Sequence, residues 1–179
     1  MKIAIISSAS HVISESNVLK ATAITSYLHQ IGTIEIMTGG SHGLPGLIVQ
    51  KAKAVGIKTV AYSPDENKDL HASRHDNLSL QYFDEVNHFR GFTQRTLAMF
   101  QVADGILVLN GRMGTLSEFS IALEEGKRVG VVTNTGGIAD HLEEIVRMAK
   151  KDFPGQVFFN DDCTKVIDWL ISGHAVECK

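Results

Sequence analysis

The amino-acid sequence predicts an α/β fold in which a parallel sheet of about six or seven strands is flanked by helices. Short apolar runs alternate along the chain with longer segments whose apolar residues recur every three or four positions, as in strands and amphipathic helices. The strand segments are apolar throughout instead of alternating with polar residues, which is typical of strands covered on both faces. These observations indicate a doubly wound, Rossmann-like parallel sheet.

The strands can be assigned in order along the chain. Apolar runs of strand length occupy residues 2–7, 35–38, 57–62, 105–109, 129–133 and 156–159. The polar segment 65–79 has no apolar period and is predicted to be a loop or lid, and residues 81–87 are predicted to form a short extended piece.

Helices are predicted to follow the strands. Apolar residues at helical spacing between positions 18 and 28 define the first helix, which Ser14 or Ser16 can cap. A second helix should begin after the glycine-rich residues 39–46. The remaining helices are predicted at residues 89–103, from 115 to about 126, at 138–150 and at 164–172.

The composition argues against several classes of protein. The chain of 179 residues fits one domain, residues 1–179, and 44% hydrophobic with 21% charged residues is ordinary for a globular protein. The 17 Lys and Arg residues face 20 Asp and Glu residues, so the net charge of -3 provides no general attraction to nucleic acid or to an acidic membrane. No membrane span or signal sequence is recognised, so we expect a cytoplasmic protein without a nucleic-acid or membrane partner.

Cysteine and histidine are not spaced as metal ligands or as a disulfide framework. Cys163 and Cys178 are fifteen positions apart, and the eight His residues show no paired spacing. No metal site is therefore expected. A dinucleotide cofactor is not expected either, because no GxGxxG fingerprint follows the first strand.

One strand and the turn after it form the most informative segment. The apolar run 105–109 leads into a loop with Gly111 and Gly114, and Glu118 stands just inside the helix that follows. The first amides of a helix have no hydrogen-bond partner within it and carry partial positive charge, so they favour an anion. Gly111, Gly114 and Thr115 therefore form a candidate phosphate site.

Two more polar loops are expected at the same edge of the sheet. One follows the second strand and reads GGSHGLPG, and the other follows the first strand. The carboxyl ends of parallel strands share one edge, where ligands bind near the point at which the strand order reverses. Glycine allows the backbone to approach a sugar or phosphate closely. The candidate binding residues of these loops are Ser8, Gly39, Gly40, Ser41 and Gly43.

Several of these residues also have a purely structural interpretation. Thr115 and Glu118 have the spacing of a capping box, in which each side chain satisfies an exposed backbone amide at a helix start. Residues 39–46 can form a turn with Pro45 near the beginning of a helix. Arg95 flanks the apolar stripe of its helix and could extend its guanidinium to solvent.

Three segments together resemble the LOG family, the cytokinin-activating phosphoribohydrolases once described as possible lysine decarboxylases. Residues 39–46 are similar to the GGGxxGxMG loop of that family, and residues 110–118 (NGRMGTLSE) are similar to its PGGxGTxxE signature. Arg95 stands where the Arg-Lys motif of the family begins, at the matching distance before the central strand. The resemblance covers about residues 3–132.

The resemblance implies a nucleotide-binding protein that hydrolyses the N-glycosidic bond of a nucleoside 5'-monophosphate to free base and ribose 5-phosphate. Glu118 would stabilise positive charge on the ribose and orient water. Arg95 would bind phosphate or ribose hydroxyls, or hold Glu118 ionised. The glycine turn and Thr115 would bind the phosphate, and the other two loops would approach the ribose or base. An AMP-like substrate and a homodimer are the partners implied.

Three positions depart from the motifs of the family and leave other functions open. Asn110 replaces a proline, Arg112 replaces a glycine and Thr96 replaces a lysine. Arg112 would either add a phosphate contact or narrow the site. The wider superfamily includes molybdenum-cofactor carriers and nucleotide sensors, so a binding protein without turnover is the alternative, and a nucleoside deoxyribosyltransferase-like enzyme is a third. Lysine decarboxylation is not expected, because no lysine occupies either glycine loop.

Overall fold

Seven strands form one parallel sheet in the computed structural model, which describes residues 1–75 and 80–177. The strands are β1 (Lys2–Ile6), β2 (Glu35–Thr38), β3 (Lys58–Ser63), β4 (Glu85–His88), β5 (Gly105–Leu109), β6 (Arg128–Val132) and β7 (Gln156–Asn160). Their order is β4-β3-β2-β1-β5-β6-β7, and each neighbouring pair is parallel. The predicted α/β architecture is confirmed.

Helices cover both faces of this sheet. They are α1 (Glu15–Ile31), α2 (Gly43–Ala54), α3 (Lys68–His75), α4 (Phe92–Val102), α5 (Met113–Glu124), α6 (Leu142–Ala149) and α7 (Cys163–Glu177), with 3₁₀ turns at Leu80–Tyr82 and Gly137–His141. Residues of α1, α2 and α7 pack on one face, and residues of α4, α5 and α6 pack on the other. Successive β1 residues alternate between the two layers, with Ile3 and Ile5 in the first and Ala4 and Ile6 in the second.

The chain extends from the middle of the sheet in two directions. From β1 it passes outward to β2, β3 and β4, and it then returns to β5 beside β1 before continuing to β6 and β7. The strand order therefore reverses between β1 and β5, where the loops after these strands diverge and leave a crevice. The β1–α1, β2–α2 and β5–α5 loops come together at this edge, as the sequence predicts.

Several local predictions are confirmed. β2 and β5 have the predicted bounds, and Ser14 caps α1 through a side-chain hydrogen bond from the amide of Asn17. β5 is buried along its whole length, because it lies in the middle of the sheet with helices on both faces. Its continuous apolar run is the sequence signature of that position.

The prediction that residues 65–79 form only a loop or lid is wrong, because α3 lies within them. Residues 76–79 lie outside the part of the chain that the structure describes. Among the α3 residues whose burial is described, the fully buried side chain is that of His71, and apolar periodicity does not detect a helix whose inward residue is polar. The extended piece predicted at residues 81–87 is a 3₁₀ turn followed by β4, which adds an edge strand to the sheet.

The last third of the chain differs from the prediction in detail. The helix predicted at residues 138–150 is divided into a 3₁₀ turn and the shorter α6, and α7 is longer than predicted. Asp140 accepts hydrogen bonds from the amides of Thr135 and Gly136, which ties the 3₁₀ turn to the loop after β6. Cys178 lies outside the described residues. Within the described residues, no helix combines the length and apolar character needed to cross a membrane.

Candidate functional site

An open cleft of about 240 Å³ lies above the carboxyl ends of β1, β2 and β5. Its walls come from the loops after these strands and from the first turns of α4 and α5. The lining residues are Ser7, Ser8, Ala9, Gly39, Ser41, Phe92, Arg95, Arg112, Gly114, Thr115 and Glu118. The charged members of this lining are two arginines and one glutamate, so the cleft favours an anionic ligand.

Arg95 and Glu118 form a buried ion pair in the cleft. Arg95 is 8% exposed and Glu118 is 4% exposed, and Nη1 of Arg95 donates a hydrogen bond to Oε1 of Glu118 at 2.6 Å. The hydroxyl of Thr96 donates a longer bond of 3.5 Å to the same oxygen. Met99 and Phe100 of α4 pack on the sheet one turn later, and this anchoring directs Arg95 inward.

Burial raises the pKa of the Glu118 carboxyl above its usual value, and the Arg95 guanidinium and Thr96 hydroxyl oppose this rise. A carboxyl with a raised pKa exchanges its proton closer to neutral pH than an ordinary glutamate does, which suits acid and base chemistry. The low exposure of both side chains keeps most bulk water away from the ion pair, and this strengthens the electrostatic interaction between the two charges.

The structural interpretations of Glu118 and Arg95 are wrong. α5 begins at Met113 and Arg112 precedes it, so Glu118 lies in the second turn and not at the third position that a capping box requires. Arg95 does not extend its guanidinium into solvent, because that group is held on Glu118 inside the protein. Both side chains instead line the cleft.

The start of α5 forms the anion-binding side of the cleft. The first backbone bond of this helix joins the amide of Leu116 to the carbonyl of Arg112, so the preceding amides have no partner within the helix. Gly114 and Thr115 line the cleft here, and the exposed Arg112 lies beside them. The helix end and the guanidinium both attract a phosphate.

Three of the predicted binding residues are not part of the described lining of the cleft. They are Gly40, Gly43 and Gly111, and each has a positive φ. An added Cβ at Gly43 would lie 2.6 Å from the carbonyl oxygen of Ser8, and one at Gly111 would lie 2.6 Å from the Thr115 side chain. Glycine at position 43 allows the β1–α1 loop to approach the start of α2, and glycine at position 111 leaves room for the Thr115 side chain. Direct contacts with a ligand are therefore expected only from the predicted site residues that line the cleft.

The backbone conformation and contacts of Asn110 explain why asparagine replaces the proline of the LOG motif. Its φ of 51° is left-handed, a conformation that the ring of proline does not permit. Its backbone amide donates to the Thr135 hydroxyl at 2.7 Å, and its side-chain amide donates to the Thr135 carbonyl at 2.6 Å. Asparagine thus joins the β5–α5 loop to the loop after β6. A proline, which has no amide hydrogen, could not make the first of these bonds.

Four residues of the site escaped the sequence-based prediction. They are Ser7, Ala9 and Phe92, which line the cleft, and Thr96, which contacts Glu118. The Phe92 ring centre lies 4.7 Å from the guanidinium carbon of Arg95. Its position one helical turn before Arg95 was the available signal, because side chains three apart on a helix meet. Oγ of Ser7 is buried and has no hydrogen-bond partner among the described residues.

A second set of buried polar groups supports the β2–α2 loop. His71 is fully buried, and its Nε2 donates to the carbonyl of Gly40 at 3.1 Å. A carbonyl oxygen only accepts, so Nε2 must carry a proton. Nδ1 of His71 lies 2.8 Å from the Ser63 hydroxyl and 3.5 Å from Oδ2 of Asp65, and Oδ1 of Asp65 accepts a hydrogen bond from Arg74. α3 is therefore connected directly to the loop that contributes Gly39 and Ser41 to the cleft.

Side chains that bind metals do not cluster in the described part of the chain, where no group of three or more His, Cys, Asp or Glu is placed to hold an ion. His11 and His42 stack with their ring centres 4.0 Å apart. Cys163 is a free, buried thiol, and burial raises its pKa, which disfavours the reactive thiolate.

Sequence comparison identifies the family of this chain. The sequence model of the SLOG cluster4 family matches residues 1–167. The chain belongs to that family. No curated protein sequence matches it significantly. The family match agrees with a LOG-like Rossmann fold. The LOG-like group of proteins is broader than the LOG family itself.

Solved structures share the fold of this SLOG cluster4 member at low sequence identity. TM1055 is 20% identical, with a TM-score of 0.75 over 94% of this chain and 98% of that protein. A molybdenum cofactor binding protein from Rippkaea orientalis is 18% identical, with a TM-score of 0.71 over 95% and 96% of the two chains. DNA processing protein A from Streptococcus pneumoniae is 16% identical, with a TM-score of 0.66 over 89% of this chain and 59% of that protein. At these identities the likeness establishes the fold alone.

Proposed function

We propose that the cleft binds a nucleoside 5'-monophosphate and that the protein hydrolyses its N-glycosidic bond to free base and ribose 5-phosphate. The observation that carries this proposal is the buried Arg95–Glu118 pair in a cleft whose other side is the start of α5. Glu118 follows Gly114 by about one helical turn, a rise of about 5.4 Å. A phosphate bound at the helix start would therefore bring the attached ribose towards the carboxylate.

The residues fit the charge changes of this reaction. The bond between ribose C1' and the base nitrogen breaks, its electron pair leaves with the base, and positive charge develops on the ribose. Ionised Glu118 would stabilise that charge and orient the water whose oxygen bonds to C1'. One proton of the water is transferred to the base nitrogen, so the atoms balance. Arg95 would keep the carboxylate oriented through the 2.6 Å hydrogen bond.

A binding or carrier protein without turnover is the second candidate. The observation that favours it is that Oε1 of Glu118 already accepts from Arg95 and Thr96, with a threonine where the LOG motif has lysine. One structural neighbour is a molybdenum cofactor binding protein. An anionic cofactor would use the same two arginines and the same helix start.

Two measurements on the purified protein distinguish these functions. Native mass spectrometry identifies any small molecule that stays bound through purification, and a base-release assay tests purine and pyrimidine nucleoside monophosphates for turnover. Base release from AMP or another monophosphate would support hydrolysis. Tight binding of a ligand with no base release from any monophosphate would refute hydrolysis and support the binding function. A trapped covalent sugar adduct on Glu118 would instead indicate a deoxyribosyltransferase-like enzyme.

Glu118→Gln tests the role of the carboxylate directly. We expect kcat to fall about 100-fold or more, because the amide keeps the shape of the side chain but carries no negative charge. Glu125→Gln makes the same chemical change at an exposed position at the end of α5 and should retain full activity. Equal activity of the two variants, with circular dichroism showing both folded, would rule out Glu118 as a catalytic residue.

The partners proposed are a small-molecule nucleotide and a second copy of the chain. Sedimentation measures the oligomeric state, and a monomer at micromolar concentration would refute the homodimer. Single-stranded DNA should be included as a competitor, since one structural neighbour is a DNA processing protein. Displacement of the bound nucleotide by DNA would contradict the proposed small-molecule specificity.

A further inference from the structure

The guanidinium of Arg95 occupies the space that a side chain at Gly39 would need. A Cβ added to Gly39 would lie 3.0 Å from both Cζ and Nη2 of Arg95, and 3.2 Å from Nη1. These distances are shorter than the roughly 3.5–4.0 Å at which carbon atoms make favourable contact. Even an alanine at position 39 would therefore require the guanidinium to move.

Such a movement would change the contacts that the Arg95 guanidinium makes. The residue is 8% exposed, its guanidinium carbon lies 4.7 Å from the Phe92 ring centre, and its Nη1 is bonded to Glu118. The contact between Nη1 and Oε1 of Glu118 is short, at 2.6 Å. A displacement of the guanidinium would lengthen this bond before it affected the packing of the sheet.

Gly39 has no conformational requirement for glycine. Its φ is not in the left-handed region, whereas φ is 75° at Gly40 and 76° at Gly43. The group that blocks a side chain at Gly39 is the far end of a flexible arginine, whereas Gly43 faces backbone atoms. The fold can therefore accept alanine at position 39, and the change would be confined to the ion pair.

We propose that Gly39 is a positioning residue, which admits the Arg95 guanidinium to the place from which Nη1 holds the Glu118 carboxylate. This role differs from the ligand contact that the glycine-rich loop suggests in the sequence. The effect on catalysis rests on the proposed hydrolysis. The effect on the ion pair does not depend on any reaction.

An NMR titration of the Glu118 carboxyl tests the proposal without a substrate. The protein is labelled with ¹³C-glutamate, and the Glu118→Gln spectrum identifies the signal. Gly39→Ala is expected to raise the pKa of Glu118 above that of the wild type, because the guanidinium that opposes the effect of burial is displaced. The control is Gly105→Ala, whose Cβ meets the flexible end of Leu170 at 3.2 Å, at the amino end of β5. It should leave the titration midpoint unchanged.

A double variant shows whether the effect acts through Arg95. In an Arg95→Met background, Gly39→Ala should produce no further change in the midpoint, since the group it displaces is absent. If Arg95→Met does not fold, the proposal is tested by comparing the Glu118 titration midpoints of Gly39→Ala and Gly105→Ala. An unchanged midpoint in Gly39→Ala, or an equal shift in the Arg95→Met background, overturns the proposal. Unfolding of Gly39→Ala also overturns it, because glycine would then be required by the fold.

Kinetics provide a second readout. Gly39→Ala should lower kcat for base release roughly 10- to 100-fold with a smaller change in KM, as expected for a misplaced catalytic group. A wild-type kcat retained in Gly39→Ala contradicts the positioning role in the reaction. If the wild type releases no base, the proposed hydrolysis fails, and the titration still confirms or overturns the role of Gly39.

Discussion

The starts of α2 and α5 both place a glycine at the carboxyl edge of the sheet, but Gly43 and Gly114 have different surroundings. At the start of α5, Gly114 lines the cleft, and the nearest atoms to an added Cβ would be those of the Phe92 ring at 3.7 Å. At the start of α2, an added Cβ at Gly43 would lie 2.6 Å from the Ser8 carbonyl oxygen. A glycine beside a ligand site can therefore be required by contacts within the protein instead of contacts with the ligand.

The largest expected effect of this difference is on stability. Gly43→Ala should lower the free energy of unfolding by about 2–4 kcal/mol, because it adds a left-handed backbone strain to a clash with fixed backbone atoms. Urea denaturation monitored by circular dichroism measures this change. A loss below about 0.5 kcal/mol, the usual effect of a surface substitution, would contradict the packing role of Gly43.

The second-largest expected effect is on ligand affinity at the start of α5. If the cleft binds a nucleoside monophosphate as proposed, Arg112→Gln should weaken that binding about tenfold and leave binding of the corresponding nucleoside unchanged, because the substitution removes a positive charge beside the proposed phosphate site. Arg147→Gln removes an exposed arginine from α6, away from the cleft, and serves as the matched control. Isothermal titration calorimetry measures both. Equal affinities of Arg112→Gln and the control would place the phosphate elsewhere.

A smaller change in the free energy of unfolding is expected at Gly114, and its sign should be opposite to that at Gly43. Gly114→Ala should raise the free energy of unfolding by about 0.5 kcal/mol, because alanine favours the helix and position 114 has no left-handed φ. The same methyl group projects towards the cleft and should reduce nucleotide affinity by a few fold. Destabilisation by Gly114→Ala would remove the contrast between Gly114 and Gly43.

The smallest effect is a pH dependence from Glu118. Burial raises the pKa of this carboxyl in the folded state above that in the unfolded state, so the folded protein binds more protons between the two values. Its contribution to stability is fully present below the unfolded pKa and is lost as the pH rises through the folded pKa. The free energy of unfolding of the wild type relative to Glu118→Gln should therefore decrease as the pH rises above about 4.3, the usual pKa of a glutamate. An increase in this free-energy difference with rising pH would show that Arg95 lowers the pKa of Glu118 by more than burial raises it.

Local patterns predicted most of the architecture. The apolar runs of β2 and β5, the Ser14 cap and the position of the three loops at one edge all depend on neighbouring residues. α3 was predicted as part of a loop or lid, and β4 only as part of a short extended piece, since α3 turns a histidine inward and β4 is a half-buried edge strand of four residues. The site residues Ser8, Gly39, Ser41, Arg112 and Gly114 do line the cleft, as expected for loops at that edge.

By itself, the sequence determined the parallel α/β sheet and the edge of the sheet at which the cleft lies, because periodicity and glycine turns are properties of short segments. The contact between Arg95 and Glu118 joins residues 23 positions apart, and the contact between His71 and Gly40 joins residues 31 apart. Only the tertiary structure decided that Glu118 is buried against an arginine, that it is not part of a helix cap, and that Gly39 leaves room for that arginine. Burial and close packing depend on segments that meet only after folding.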